Sequence, residues 1–187
     1  MRPIGRSDAG ASDAAEVAPH ERRTGARVIV RDRDGLVLLF CGLDPYAPEV
    51  TYWFTPGGGL DPGETFEEAA ARELREETGF ELGRLSDVVR FDEVEFTFEG
   101  VTYRQRQRFY AVEVPISGPA VEIDLAGWTD DERRSVTRYR WWSLAELEAT
   151  TDSVHPTDLA ALVRSIVGWG SAEPSGEAAG RRRPAGG

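Results

Sequence analysis

A chain of 187 residues with 40 % apolar content can bury the core of one domain and leave irregular ends. Its formal net charge of −11 argues against a DNA or RNA binder, which needs a basic surface to displace counterions. The same charge repels any phosphate substrate at long range, and a bound divalent cation would reverse that locally.

Residues 1–22 are rich in Ala, Asp, Gly and Ser, show no periodicity and read as a disordered arm without a secretory h-region. The folded domain is expected over 23–169. It opens with the β-rich run Ala26–Val30, followed by Asp34-Gly35, a two-residue hairpin signal. Leu36–Cys41 returns as a second strand. Cys41 is the single cysteine and ends that apolar run, so it reads as core; with no partner for a disulfide, the chain suits a reducing cytoplasm. Thr51–Thr55 forms a short strand that stops at Pro56.

Gly57-Gly58-Gly59 is a loop, and a helix is expected over 66–78. Thr65 with Glu68 makes a capping box at its start, and Gly79 suits the left-handed position past its end. Val88–Phe98 and Val101–Val114 are strand-like, joined at Glu99-Gly100. Arg138–Trp142 is the last expected strand, with helices over Ala145–Ala149 and Pro156–Trp169. Hairpins and helices together predict a mixed sheet. Residues 170–187 read as a disordered, solvated tail despite Arg181, Arg182 and Arg183. No apolar run is long enough to span a bilayer. All 22 basic residues are arginine, spread along the chain, which reads as compositional bias more readily than as phosphate recognition.

The 66–78 helix carries an anomaly. At about 100° per residue, Phe66, Ala69, Ala70 and Leu74 share the face that packs on the sheet. Glu73, Glu76 and Glu77 fall in an arc that overlaps this face. Like charges one turn apart cost a few tenths of a kcal/mol per pair, and desolvation adds to that cost. A small, hard divalent cation offsets both effects, and clustered carboxylate oxygens suit Mg²⁺ or Mn²⁺.

The residues before the helix complete a pattern: Gly58, five residues, Glu64, seven residues, Arg72-Glu73-Leu74, one residue, Glu76-Glu77, one residue, Gly79-Phe80. This resembles the Nudix box, the signature of the Nudix hydrolase family; Phe80 stands where a bulky aliphatic is more common. The resemblance extends more loosely over 23–169. It implies an α/β fold, an α/β/α sandwich with a mixed β-sheet. It also implies that Glu73, Glu76 and Glu77 ligate one or more Mg²⁺ ions (Mn²⁺ as an alternative), directly or through water, with the Gly57 carbonyl. Arg72 would orient a box carboxylate, and Glu64 would support the assembly. The implied substrate is a small nucleotide-like molecule, a nucleoside diphosphate linked to another moiety, cut by water attack at phosphorus. Glu76 or Glu77 is the expected base, with Glu132 from a later loop as the alternative; Glu132 also reads as a helix-start acid. Nucleic-acid and membrane partners are not expected, and a homodimer is compatible.

Arg104, Arg106 and Arg108 alternate on one strand and share a face, opposite Gln105 and Gln107. That face would bind distal phosphates if it lines the cleft; otherwise it pairs with nearby acids in solvent, the reading favoured by the frequency of solvated charge runs. Tyr46 and Trp53 lie near the box and are candidates for stacking a base, although Trp53 sits within a strand. A domain that binds nucleotide without hydrolysis is the competing reading; the complete box and the short arms weigh against it.

Overall fold

The computed structural model describes residues 21–81 and 85–166. The expected arms therefore lie outside the described residues, except that Glu21 and Arg22 open the first strand. Strand β1 (Glu21–Arg31) starts five residues before the apolar run that signals it. Strands β2 (Val37–Asp44), β3 (Ala47–Phe54), β4 (Arg90–Phe98), β5 (Val101–Glu113) and β6 (Val136–Trp142) follow the expected order. A further two-residue strand, β7 (Val154–His155), was not legible in so short a run. Helix α1 spans Phe66–Thr78 as expected. Short helices α2 (Asp130–Ser135) and α3 (Leu144–Ala149) flank β6, and α4 (Leu159–Ile166) ends the described region.

The first hairpin is wider than Asp34-Gly35 suggested. Arg31 pairs with Val37, so the turn spans five residues, 32–36. The reason is Asp32, whose fully buried carboxylate accepts hydrogen bonds from the backbone N–H groups of Asp34, Leu36 and Gly118. Three backbone donors satisfy a charge that would otherwise be costly to bury.

The sheet runs β4-β5-β1-β2-β3-β7, with β6 on β2. β1·β5 and β3·β7 are parallel and the other pairs antiparallel, so the sheet is mixed. β1 and β2 meet only at Arg31–Val37 and then part. β6 takes the free edge of β2, and the glycine loop takes the free edge of β1. Alternation along β1 sends Val28 and Val30 to α1 and Ile29 to α3 and α4. One core joins Ala69, Ala70 and Leu74 of α1 to Phe40 and Tyr110; the other joins Leu147, Leu159 and Val163 to Trp53 and Trp142. Helices thus cover both faces. No helix among the described residues is long and apolar enough to cross a membrane.

Candidate active site

Helix α1 is stopped at both ends as its sequence requires. Thr65 Oγ1 accepts from the Glu68 N–H at 3.2 Å, and the Glu68 carboxylate accepts from the Thr65 N–H at 2.9 Å. Gly79 ends the helix at φ 74°, its N–H donating to Arg75 O. Between these caps the apolar stripe fixes the rotation of the helix, and the acids follow. Glu73 and Glu77 are 7 % and 6 % exposed, buried beside the core face as the arc arithmetic predicts, whereas Glu76, placed in the same arc, is half-exposed.

The glycine loop brings backbone to those acids. The Ala26 and Val28 N–H groups donate to Gly58 O and Pro56 O at 3.0 and 2.8 Å, so the loop lies along β1 like a strand. Gly57 has φ 125°, and a Cβ there would collide with the Ala26 carbonyl. A Cβ on Gly58 would lie 2.6 Å from Glu73 Oε1. Only hydrogen at these two positions lets the loop close over the carboxylates. The Gly57 N–H then donates to Glu77 Oε2 at 2.7 Å.

Arg72 holds the outer side. Its Nε and Nη2 form a fork to the Glu64 carboxylate, both at 2.9 Å; Nη1 donates to Glu73 at 2.8 Å and Glu76 at 3.2 Å, and Nη2 also reaches Gly59 O. One guanidinium therefore ties loop to helix through three carboxylates, using the planar geometry that an ammonium lacks. Those bonds raise the Arg72 pKa and hold Glu64 below the usual carboxylate range.

Glu132 arrives from α2. Its carboxylate caps that helix, accepting from Thr129 N and Oγ1 at 2.6 and 2.7 Å, so the helix-start reading describes one of its roles. The preceding loop is pinned to α1: the Trp128 indole donates to Glu77 O at 2.9 Å, and Gly127 is pressed against the Glu76 backbone. The result brings Glu132 to Glu73 and Glu77, with one oxygen of each within 4.8 Å of the others. Glu76, expected among the ligands, lies outside this trio; its half-exposed carboxylate bonds Arg72.

Burial pushes Glu77 up to about 8, and the neighbouring Glu73 charge adds to the rise against the Gly57 N–H and Arg27. Burial also raises Glu73, opposed by Arg72. Arg27 is a residue that the sequence reading missed. From β1 it donates through Nη1 to Gly57 O and through Nε to Gln107, and burial lowers its pKa against the pull of Glu77 and Glu73. The Gly57 carbonyl, expected to face a cation, therefore has Arg27 as its partner, while Gly57 serves the acids through its N–H. An arginine inside the apolar run Ala26–Val30 was the available signal. The trio fits a small divalent cation: three hard oxygen donors converge, two are buried, and their mutual repulsion is only partly offset by Arg72 and Arg27.

The remaining candidates separate. Arg104 and Arg106 are exposed and both bond Glu93 on β4. Arg108 lies over the Phe66 ring, 4.1 Å from its centroid. Trp53 is core, stacked edge-on with Trp142, and Tyr46 is 74 % exposed at the β2–β3 turn.

A mixed sheet covered on both faces, with a glycine loop and helix that gather carboxylates at one edge, defines a class of hydrolase architecture. The NUDIX domain model matches residues 21–162, and the chain belongs to the Nudix hydrolase family, as a pyrophosphohydrolase. The chain is 33 % identical over 147 residues to the RNA pyrophosphohydrolase of Erythrobacter litoralis (strain HTCC2594), covering 73 % of this chain and 85 % of the relative. The crystal structure of a MutT NUDIX hydrolase from Burkholderia pseudomallei superposes with TM-score 0.55 at 25 % identity, covering 75 % of this chain and 96 % of that one. The NUDIX domain of Shewanella oneidensis NrtR, solved with ADP ribose, shares the fold at TM-score 0.57 and 17 % identity, covering 83 % and 94 %.

Proposed function

We propose that the chain hydrolyses a phosphoanhydride bond in a nucleoside diphosphate linked to a second moiety, with Mg²⁺ or Mn²⁺ held at Glu73 and Glu77. The observation that carries this reading is the convergence of Glu73, Glu77 and Glu132 beside the Gly57–Gly59 loop. A bound divalent cation supplies neutralisation of phosphate charge and orientation of the phosphate oxygens. The chain supplies the rest. The Gly57 N–H holds Glu77, and Arg72 holds Glu73 and Glu76, so the acids are aimed before substrate arrives. Glu76 would take part through a water, from its place on Arg72. Glu132, on an element separate from α1, would accept the proton of the attacking water. The water oxygen bonds to phosphorus as the bond to the leaving phosphate breaks, giving a nucleotide and the phosphorylated second moiety.

The relatives named RNA pyrophosphohydrolase, 33 % and 32 % identical over 147 and 137 residues, favour an RNA 5′ end as the substrate. Such an end engages the site first through its terminal phosphates, so net charge alone does not weigh against it. The test is phosphate or nucleotide release from a panel of nucleoside diphosphate derivatives and 5′-triphosphorylated oligonucleotides, with Mg²⁺ and then with chelator. Metal-dependent turnover of one class establishes the reaction and names the moiety. No turnover of any class by folded protein with Mg²⁺ or Mn²⁺ makes the domain a nucleotide binder.

A further inference from the structure

The arginine face of β5 opens onto a cleft of about 320 Å³ lined by Arg22, Arg23, Thr24, Glu93, Arg104 and Arg106. In a chain of net charge −11, that lining holds four arginines and Glu93, and Glu95, opposite Arg104 across β4·β5, is a second acid on the same face. Strand register explains the clustering. Arg22 pairs with Arg104 and Thr24 with Arg106 across β1·β5, while Glu93 pairs with Arg106 across β4·β5, so these side chains share a face. Ala26 and Val28 have the same parity and pack under α1, so the cleft lies on the α1 face of the sheet. Glu93 bridges the Nε groups of Arg104 and Arg106, a carboxylate seated where two guanidinium groups converge.

An aromatic strip adjoins the cleft. Phe91 is 69 % exposed and lies on the Glu93 face of β4, opposite Arg108. The Arg108 guanidinium lies over both the Phe66 and Phe91 rings, 4.1 and 5.2 Å from their centroids. A basic groove beside an exposed aromatic ring is the physical requirement for holding single-stranded nucleic acid: cations track the backbone and a ring stacks a base.

The glycine loop links the acid cluster to the cleft along the edge of β1. Gly58, which touches Glu73, bonds Ala26; Gly59 bridges Gly25; the Leu60 N–H donates to Thr24 O. The loop therefore leads along β1 from the carboxylates to the cleft. From Ala26 to Arg22 is about 13 Å at roughly 3.3 Å per residue. That span suits a short nucleotide chain and exceeds the reach of the phosphates of one nucleoside triphosphate cut at the cluster.

We propose that this strip binds the nucleotides that follow the 5′ end of a single-stranded nucleic acid, with Arg22, Arg104 and Arg106 on its phosphodiesters and Phe91 stacked on a base. The proposal rests on the reading of the acid cluster as the hydrolytic site, and its test separates the two. kcat/KM is measured for a 5′-triphosphorylated trinucleotide and for a nucleoside triphosphate, in wild type, in the double variant Arg104→Ala/Arg106→Ala, and in Glu93→Gln. The double variant loses about tenfold or more on the trinucleotide and less than about twofold on the nucleoside triphosphate. Its log–log salt slope for trinucleotide binding falls by about 1.4, two contacts at roughly 0.7 each. Glu93→Gln removes the competing anion and tightens trinucleotide binding, a gain that damage to the fold does not produce. Equal loss on both substrates, or an unchanged trinucleotide rate, overturns the strip. If wild type cleaves neither substrate, the full panel of nucleoside diphosphate derivatives decides the hydrolytic reading, and anisotropy of a 3′-labelled trinucleotide in chelator decides the strip alone. Binding that weakens in the double variant supports it, and equal binding overturns it.

Discussion

Glu77 on α1 and Glu93 on β4 each lie within reach of other charges. Burial against Glu73 pushes Glu77 up to about 8, whereas Arg106 and Arg104 hold Glu93 below the usual carboxylate range. Both belong to charge-rich stretches that look alike in composition. Burial separates them: the sheet excludes water from one, and the edge strand leaves the other in solvent. A carboxylate forced into a dry place beside a like charge stores a demand for a cation, while one in a solvated ion pair contributes little beyond local balance.

The largest expected effect breaks that contrast at its buried end. Glu77→Gln keeps the shape and removes the charge. Activity with Mg²⁺ falls by more than about a hundredfold, since even groups behind the ligands of metal sites cost 10–100-fold; a circular dichroism spectrum matching wild type shows the fold retained. Normal turnover would remove Glu77 from the mechanism. Arg72→Ala comes next, leaving Glu64, Glu73 and Glu76 without their shared cation. We expect a loss of about 10–100-fold in kcat/KM and a lower Tm; unchanged kinetics would reduce Arg72 to a surface residue.

A smaller effect is a pH dependence of stability without metal. The folded-state pKa of Glu77, about 8, lies above its ordinary value of 4.5, so between these limits the folded chain retains a proton that the unfolded chain releases. Stability supplied by this group is present at low pH and lost as pH rises through that window. In chelator, Tm is expected to fall from the acid to the alkaline end of that window. Mg²⁺ restores it by binding the folded state, and Glu77→Gln flattens the dependence. A flat wild-type profile in chelator would show that Glu77 is not desolvated. The smallest effect is at the other end of the comparison: Glu93→Ala shifts Tm by less than about 2 °C, and a larger loss would mean that the exposed ion pairs carry the hairpin.

Much of this was legible in residue order. Thr65 and Glu68 marked the start of α1, Gly79 its stop, and the helical repeat rotated Glu73 and Glu77 toward the core. These features are local, decided within one or two turns of chain. Gly57 and Gly58 were legible as glycines for close approach, although their targets, Ala26 and Glu73, were not. The width of the first hairpin escaped because its determinant, Asp32, reaches Gly118, 86 positions away.

Local order thus determined the elements, their caps, the acidic helix face and the alternation that gathers the arginines of β5. Tertiary structure decided what those faces meet. It chose Glu132 over Glu76 to complete the trio, because Trp128 and Gly127 anchor the α2 loop against α1. It gave the Gly57 carbonyl to Arg27, because β1 parts from β2 and admits the glycine loop. It set Arg22 beside Arg104 through a parallel pairing of strands distant in sequence. Pattern records which way a side chain points; which groups share that space depends on how separate segments pack, and with it the balance between desolvation and charge.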